Sequence, residues 1–223
     1  GTSDSNELWL RLTVSSGDRV LGQSGHVDQR GDVDKAAHRV NSFVLDKNGN
    51  RINRRNAQDI FTPLYNHQIP PGAGQTVHYE LVLPDDLNAS VKVELALLYR
   101  KFDREYVEEF IAGRRKQGDL SLRGFDPEKS YGNPLPITIL ASDTLEFSVE
   151  GGDFSEAVAA EDRGIPEWQR WNDYGIGLLL KGKGELRQAA DAFRRVEDLN
   201  RYDGPLNLAR VLQSEGRIDE AIL

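Results

Sequence analysis

Residues Tyr174-Gly175-Ile176-Gly177-Leu178-Leu179-Leu180, followed by Gly184 and by Ala189-Ala190-Asp191-Ala192-Phe193, decide how the end of this 223-residue chain folds. The same spacing returns as Leu208-Ala209-Arg210-Val211-Leu212, Gly216 and Ala221. The offset is 32 positions from Gly177 to Ala209, from Gly184 to Gly216 and from Ala189 to Ala221. Apolar residues three and four apart give a helix one apolar face. A small residue at a fixed place on each helix lets two such faces approach closely. The predicted unit is a pair of antiparallel helices, present twice, with Gly177 or Ala209 and Ala189 or Ala221 at the seam.

This spacing resembles the tetratricopeptide repeat, whose usual period is about 34 residues. The shortfall falls in the connection Asn200-Arg201-Tyr202-Asp203-Gly204-Pro205, where Gly204 is expected to turn left-handed and Pro205 to open the next helix. The sequence ends at Ala221-Ile222-Leu223, with the second helix of the second repeat barely begun. A solenoid needs about three repeats or a polar cap, so more repeats are expected beyond this stretch. Gly1-Thr2-Ser3, without an initiator methionine, likewise reads as a trimmed start. The resemblance implies that the first helix of each pair lines a groove holding a protein partner. The groove positions are then Tyr174, Leu178 and Lys181, followed by Leu206, Arg210 and Gln213. Trp168 and Trp171, three apart on one helix, are expected to seal the junction with the preceding domain.

Upstream the period changes to two. Leu8 to Val14, Arg39 to Leu45, Arg51-Ile52, His78 to Leu83 and Val91 to Tyr99 read as half-buried strands. Further strands are expected at Ile137 to Leu140 and Thr144 to Val149. Asp46-Lys47-Asn48-Gly49-Asn50 is a turn whose Asn-Gly pair suits positive φ angles. Strands separated by Gly and Pro predict an antiparallel immunoglobulin-like β-sandwich followed by a tetratricopeptide-type α-hairpin array, a β + α multidomain chain. The sandwich is assigned to residues 6–150, with an insertion around 104–134. A linker covers 151–164, with a boundary near Gly151-Gly152-Asp153, and the repeats cover 165–223. Phe102, Tyr106 and Phe110, four apart, predict a helical turn across Arg104 to Ala112. Pro166 is expected to begin the first repeat helix, with Glu167 in its first turn.

Composition excludes several kinds of chemistry. A formal net charge of −8 argues against binding a phosphate backbone, so no nucleic-acid partner is expected. No apolar run is long enough to span a membrane. With 0 cysteines this stretch holds no disulfide, thiolate metal site, cysteine nucleophile or covalently attached haem. Asp46, Asn48 and Asn50 mimic the first ligands of a calcium loop, but the glycine is displaced and no bidentate Glu follows, so the turn reading is preferred. His26, His38, His67 and His78 lack metal-ligand spacing, although His38 or His67 is left open as a residue approaching a cofactor bound elsewhere. Asn88-Ala89-Ser90 is formally a glycosylation acceptor, meaningful only in a eukaryotic source. No nucleophile elbow or phosphate loop is present. No catalytic, cofactor-binding or metal-binding residue is therefore assigned, and this segment is not expected to be an enzyme.

Four stretches carry a wider resemblance: Asn56-Ala57-Gln58-Asp59 leading to Ile69-Pro70-Pro71-Gly72, Leu98-Tyr99-Arg100-Lys101-Phe102 with Tyr106, Leu135 to Asp143, and Arg170 to Leu180. Together they resemble the region after the haem domain in bacterial multihaem c-type cytochromes of the cytochrome c554 type that end in tetratricopeptide repeats. The resemblance implies an exported, periplasmic scaffold whose haem c belongs to an upstream domain, with that domain and a second protein as its partners. A competing reading makes the sandwich a carbohydrate-type binding module and the repeats a spacer. That reading needs an exposed aromatic platform, for which Tyr65, Phe125 and Tyr131 are the available residues.

Overall fold

In the computed structural model, residues 6–52, 56–104, 106–108, 133, 135–149 and 164–222 are described. The chain is mixed β + α, with antiparallel sheets followed by an array of about four packed helices. It divides into two units, one of residues 1–68 and 81–160, the other of residues 69–80 and 161–223.

In the first unit, strands β1 (Glu7–Ser16), β2 (Arg19–Ser24), β5 (Val91–Arg100) and β6 (Thr138–Phe147) form one sheet in the order β2-β1-β5-β6. Strands β3 (Ser42–Leu45) and β4 (Thr62–Asn66) form a second, two-stranded sheet. β1 and β5 pair along their whole length, from Glu7 opposite Arg100 to Ser16 opposite Val91. Trp9 on β1 is fully buried in a cluster with Val33, Ala37, Ala96 and Leu98, and its indole Nε1 donates to the Gly25 carbonyl at 2.9 Å. The indole thus buries a large apolar area while its one polar atom stays satisfied.

Several strand expectations change. Residues 78–83 alternate in character but form no ladder, and Val82 is 87% exposed. Alternation records which side chains meet solvent, and it needs no strand partner. The two strands expected at 137–140 and 144–149 are one, β6, which runs through Ser142 and Asp143 opposite Ala96 and Leu95. Polar residues are tolerated there because β6 is an edge strand and its side chains are nearly all exposed. β2 and β4 escape the sequence pattern for the same reason, with Pro63 placed on an edge strand, where a missing N–H costs little.

The turn at Asp46–Asn50 closes as expected, with Leu45 bridging Arg51, but only Gly49 carries a positive φ, of 83°. The Asp46 carboxylate does the rest, accepting from the Asn48 and Asn50 amides at 2.8 Å each and from the Asn50 side chain. Those bonds, the Asn50 side chain first, hold Asp46 below the usual carboxylate value. Of the insertion, only its rims are described: Tyr106 stacks on Phe102 at 4.5 Å, and 106–108 form a wide helical turn. Phe110 and the boundary at 151–153 lie outside the described residues.

In the second unit the helices are α1 (Glu167–Lys181), α2 (Leu186–Asp198), α3 (Asp203–Glu215) and α4 (Ile218–Ile222). Leu178, Leu186, Ala189, Ala190, Phe193 and Val211 form their buried core. None is long and apolar enough to cross a membrane.

The connection between α2 and α3 differs from its expectation. Asn200, not Gly204, turns left-handed, with φ 57°, a conformation Asn tolerates. Gly204 instead lies buried inside α3, where a Cβ would stand 2.8 Å from the Phe193 carbonyl oxygen. The seam is also set differently: a Cβ on Gly175 would come 2.6 Å from the Phe193 ring, so Gly175, not Gly177, admits α2.

Ala189 is fully buried in this core. Ala189→Leu should overpack it and cost about 1–3 kcal/mol, read as a lowered midpoint in a thermal or denaturant melt. An unchanged midpoint would mean that the seam has room the structure does not show.

Candidate interaction surface

On α1, Glu167, Arg170, Trp171 and Tyr174 line a cleft of about 600 Å³. Their spacing of three, four and seven puts them on one stripe of a helix. Trp171 and Tyr174 meet edge to face at 6.1 Å, and each is 36% exposed. The Trp171 Nε1 donates to the Glu167 carboxylate at 3.3 Å, and Arg195 of α2 approaches the same oxygen at 3.5 Å. The result is an aromatic corner flanked by an acid and a guanidinium. It can receive an apolar side chain and pair charges at its rim, as protein contact surfaces do.

The six expected groove residues divide. Tyr174 lines the cleft, with its hydroxyl 3.5 Å from Gln188. Lys181, Arg210 and Gln213 are exposed, and Leu206 is 50% exposed. Arg210 donates to the Asn207 side chain at 2.7 Å, and Asn207 in turn donates to Asn172 at 2.8 Å, joining α3 to α1. Leu178 is a correction. It is fully buried against α2 and α3 in the core, because four residues beyond Tyr174 the stripe has drifted toward the α2-facing side.

Trp168 stacks on the Arg201 guanidinium at 4.1 Å, within the helical unit. Glu167, Arg170 and Trp171 were absent from the sequence-predicted groove, although their spacing to Tyr174 was legible. Comparison with protein-family models, curated proteins and solved structures finds no match.

The first unit has a second cleft, of about 620 Å³, lined mainly by charged residues, including Glu7, His26, Asp32, Arg39, Arg51 and Arg104. Its arginines are paired. Arg39 meets Glu7 at 2.9 Å, Arg51 meets Asp103 at 3.2 Å, and Arg104 meets Asp32 and Glu108. Asp32, first among several causes, raises Arg104 above its ordinary pKa. His26 shares a hydrogen bond with Thr13 at 3.0 Å. Charges satisfied in this way stabilise a wall and offer a ligand little.

Beneath that cleft lies a buried ion pair. Arg100, 1% exposed, donates through Nε to Glu7 Oε2 at 2.9 Å and again through Nη2. Glu7 Oε1 accepts from Arg39.

His38 and His67 stack on each other at 4.8 Å, and Tyr65 and Phe43 continue the row at 4.5 and 5.3 Å. His67 Nδ1 lies 3.1 Å from the Arg39 carbonyl oxygen. Tyr65 is therefore half-buried within a stack, and Phe125 and Tyr131 lie outside the described residues. Among the described residues no group of three or more His, Cys, Asp or Glu side chains is placed to hold a metal ion.

Glu7→Leu would leave the buried Arg100 guanidinium without its acceptor. The expected loss is about 3–5 kcal/mol in a urea melt followed by tryptophan fluorescence. A change under about 1 kcal/mol would show that Arg100 reaches solvent or another acceptor at little cost.

Proposed function

We propose that this chain is a non-catalytic interaction and scaffold segment. Its helices act as a tetratricopeptide-type hairpin array that holds another protein. The observation that carries this reading is the exposed Trp171–Tyr174 corner on α1, flanked by Glu167 and Arg170. Large aromatic side chains and arginine supply most of the binding energy at protein interfaces, and here they stand on a rigid helix instead of a loop. The recurring 32-residue offset and the Asn172–Asn207 bridge between α1 and α3 support the finer repeat assignment. The stripe on α1 then continues to Leu206, Arg210 and Gln213 on α3.

The sheet unit is read as the immunoglobulin-like body of the same scaffold. From the resemblance in the sequence, the parent is an exported bacterial multihaem cytochrome, with haem c on an upstream domain against which the sheet unit docks. The carbohydrate reading has less support, because Tyr65 is committed to its ring stack.

Two checks apply. Cys-x-x-Cys-His motifs in the upstream coding sequence are expected, and their absence removes the cytochrome assignment. In a pull-down from a lysate of the source organism, the unmodified chain should retain a protein that Trp171→Ala, Tyr174→Ala and Arg210→Glu lose, while all three keep the parental helical circular dichroism. Equal capture by all four chains, or no captured protein, counts against the groove.

A further inference from the structure

α1 is covered on two opposite sides. Its Gly175–Leu178 side meets α2 and the core. Two residues along a helix rotate the direction by about 200°, so Gly177 faces nearly the other way. There the chain's own segment 69–80 lies on the helix. A Cβ on Gly177 would stand 2.6 Å from the Thr76 amide nitrogen and 3.0 Å from the Gln75 carbonyl carbon. In return, a Cβ on Gly74 would stand 2.8 Å from the Asp173 carbonyl oxygen. The segment's main chain therefore packs closely on the helix at both glycines, with the Thr76 hydroxyl also against Gly177. Thr76 Oγ1 donates to the Tyr174 carbonyl oxygen at 3.1 Å, and His78 Nδ1 lies 4.0 Å from the Glu185 carboxylate.

The local sequence builds this segment for its place. Pro70-Pro71-Gly72-Ala73 is a tight turn, closed by the Ala73 amide on the Pro70 carbonyl at 3.1 Å, with Gly72 at φ 71°. That is the Pro-Gly pattern of a type II turn. Residues 73–77 beyond it are half-buried, while 78–80 are exposed. The segment belongs to neither sheet, so the ladder does not explain its extended course.

We propose that residues 69–80 are a built-in strap that caps the outer face of α1. They act as an intramolecular ligand occupying the side on which another helical hairpin or an extended peptide would otherwise pack. In stacked helical repeats each unit contacts only its neighbours, and an end face must be covered by something with a polar exterior. Here Gly74, Gln75 and Thr76 cover it, and Gly177 is the acceptor. A partner of the array is thereby kept off the Gly177 side of α1. The proposal rests on main-chain geometry and stands whether or not the partner-binding reading above holds.

The test uses a synthetic peptide of residues 67–82 and two variants of the 223-residue chain. In the first, residues 73–77 are replaced by a Gly/Ser stretch of equal length; in the second, Gly177→Val is added to the first. The peptide should bind the first variant at least tenfold more tightly than the unmodified chain, whose site is filled, and the second variant should not bind it. Binding to neither chain, equal binding to the unmodified chain and the first variant, or binding that survives Gly177→Val overturns the proposal. Should the strap-replaced chain fail to fold, the single variant Gly177→Val decides. Subtilisin nicking within 73–77 should then rise at least tenfold while helical circular dichroism is kept, and unchanged nicking overturns the proposal.

Discussion

Close approach across an absent side chain governs the helical half of this protein. Gly175 admits the Phe193 ring and Gly177 admits the Thr76 backbone. Both lie on α1, two residues apart and on nearly opposite sides. Any side chain at either place would have to displace an aromatic ring in the core or a length of backbone. α1 is consequently held between α2 and the strap, and the stripe of Glu167, Arg170, Trp171 and Tyr174 stays exposed between them. The availability of that aromatic corner follows from the two close approaches: the sides they occupy cannot serve a partner.

The sheet unit depends on a different constraint, a charge buried at the far end of its longest strand pair. Glu7 opens β1 and Arg100 closes β5, and their register brings the two together beside Trp9. Taking such a pair out of water is costly, and it is tolerated only because several hydrogen bonds converge on one carboxylate. Glu7 receives Arg100 and Arg39 together, so a strand, its neighbour and the segment at Arg39 are fixed at one point. Trp9 fills the space next to it, and its indole N–H donates to the Gly25 carbonyl. A register slip of one residue would send both Glu7 and Trp9 to the opposite face.

What was legible in the sequence follows from what each pattern measures. Helical periodicity reports a buried stripe, and α1, α2 and α3 each bury one, so their existence and order could be read directly. β1 and β5 were legible because both are interior strands, whereas β2 and β4 were not, because edge strands with exposed side chains carry little apolar signal. The segment 78–83 misled for the converse reason, since its alternation arises without any ladder. Leu178 was misassigned because a groove stripe and a core stripe lie less than one residue's rotation apart. The strap left no trace that spacing could detect. Its marks are Gly74 and Gly177, 103 positions apart in sequence, and only the fold shows that Gly74 makes room for Asp173 and Gly177 for Thr76.

Coverage of α1 on both sides is measured most directly by nuclear Overhauser spectroscopy of the 223-residue chain. Cross-peaks are expected from the Gly177 α-protons to the Thr76 amide proton, together with contacts from Gly175 to the Phe193 ring. Random-coil shifts for residues 73–77 with no cross-peak to α1 would contradict it, whatever the state of the remaining helices.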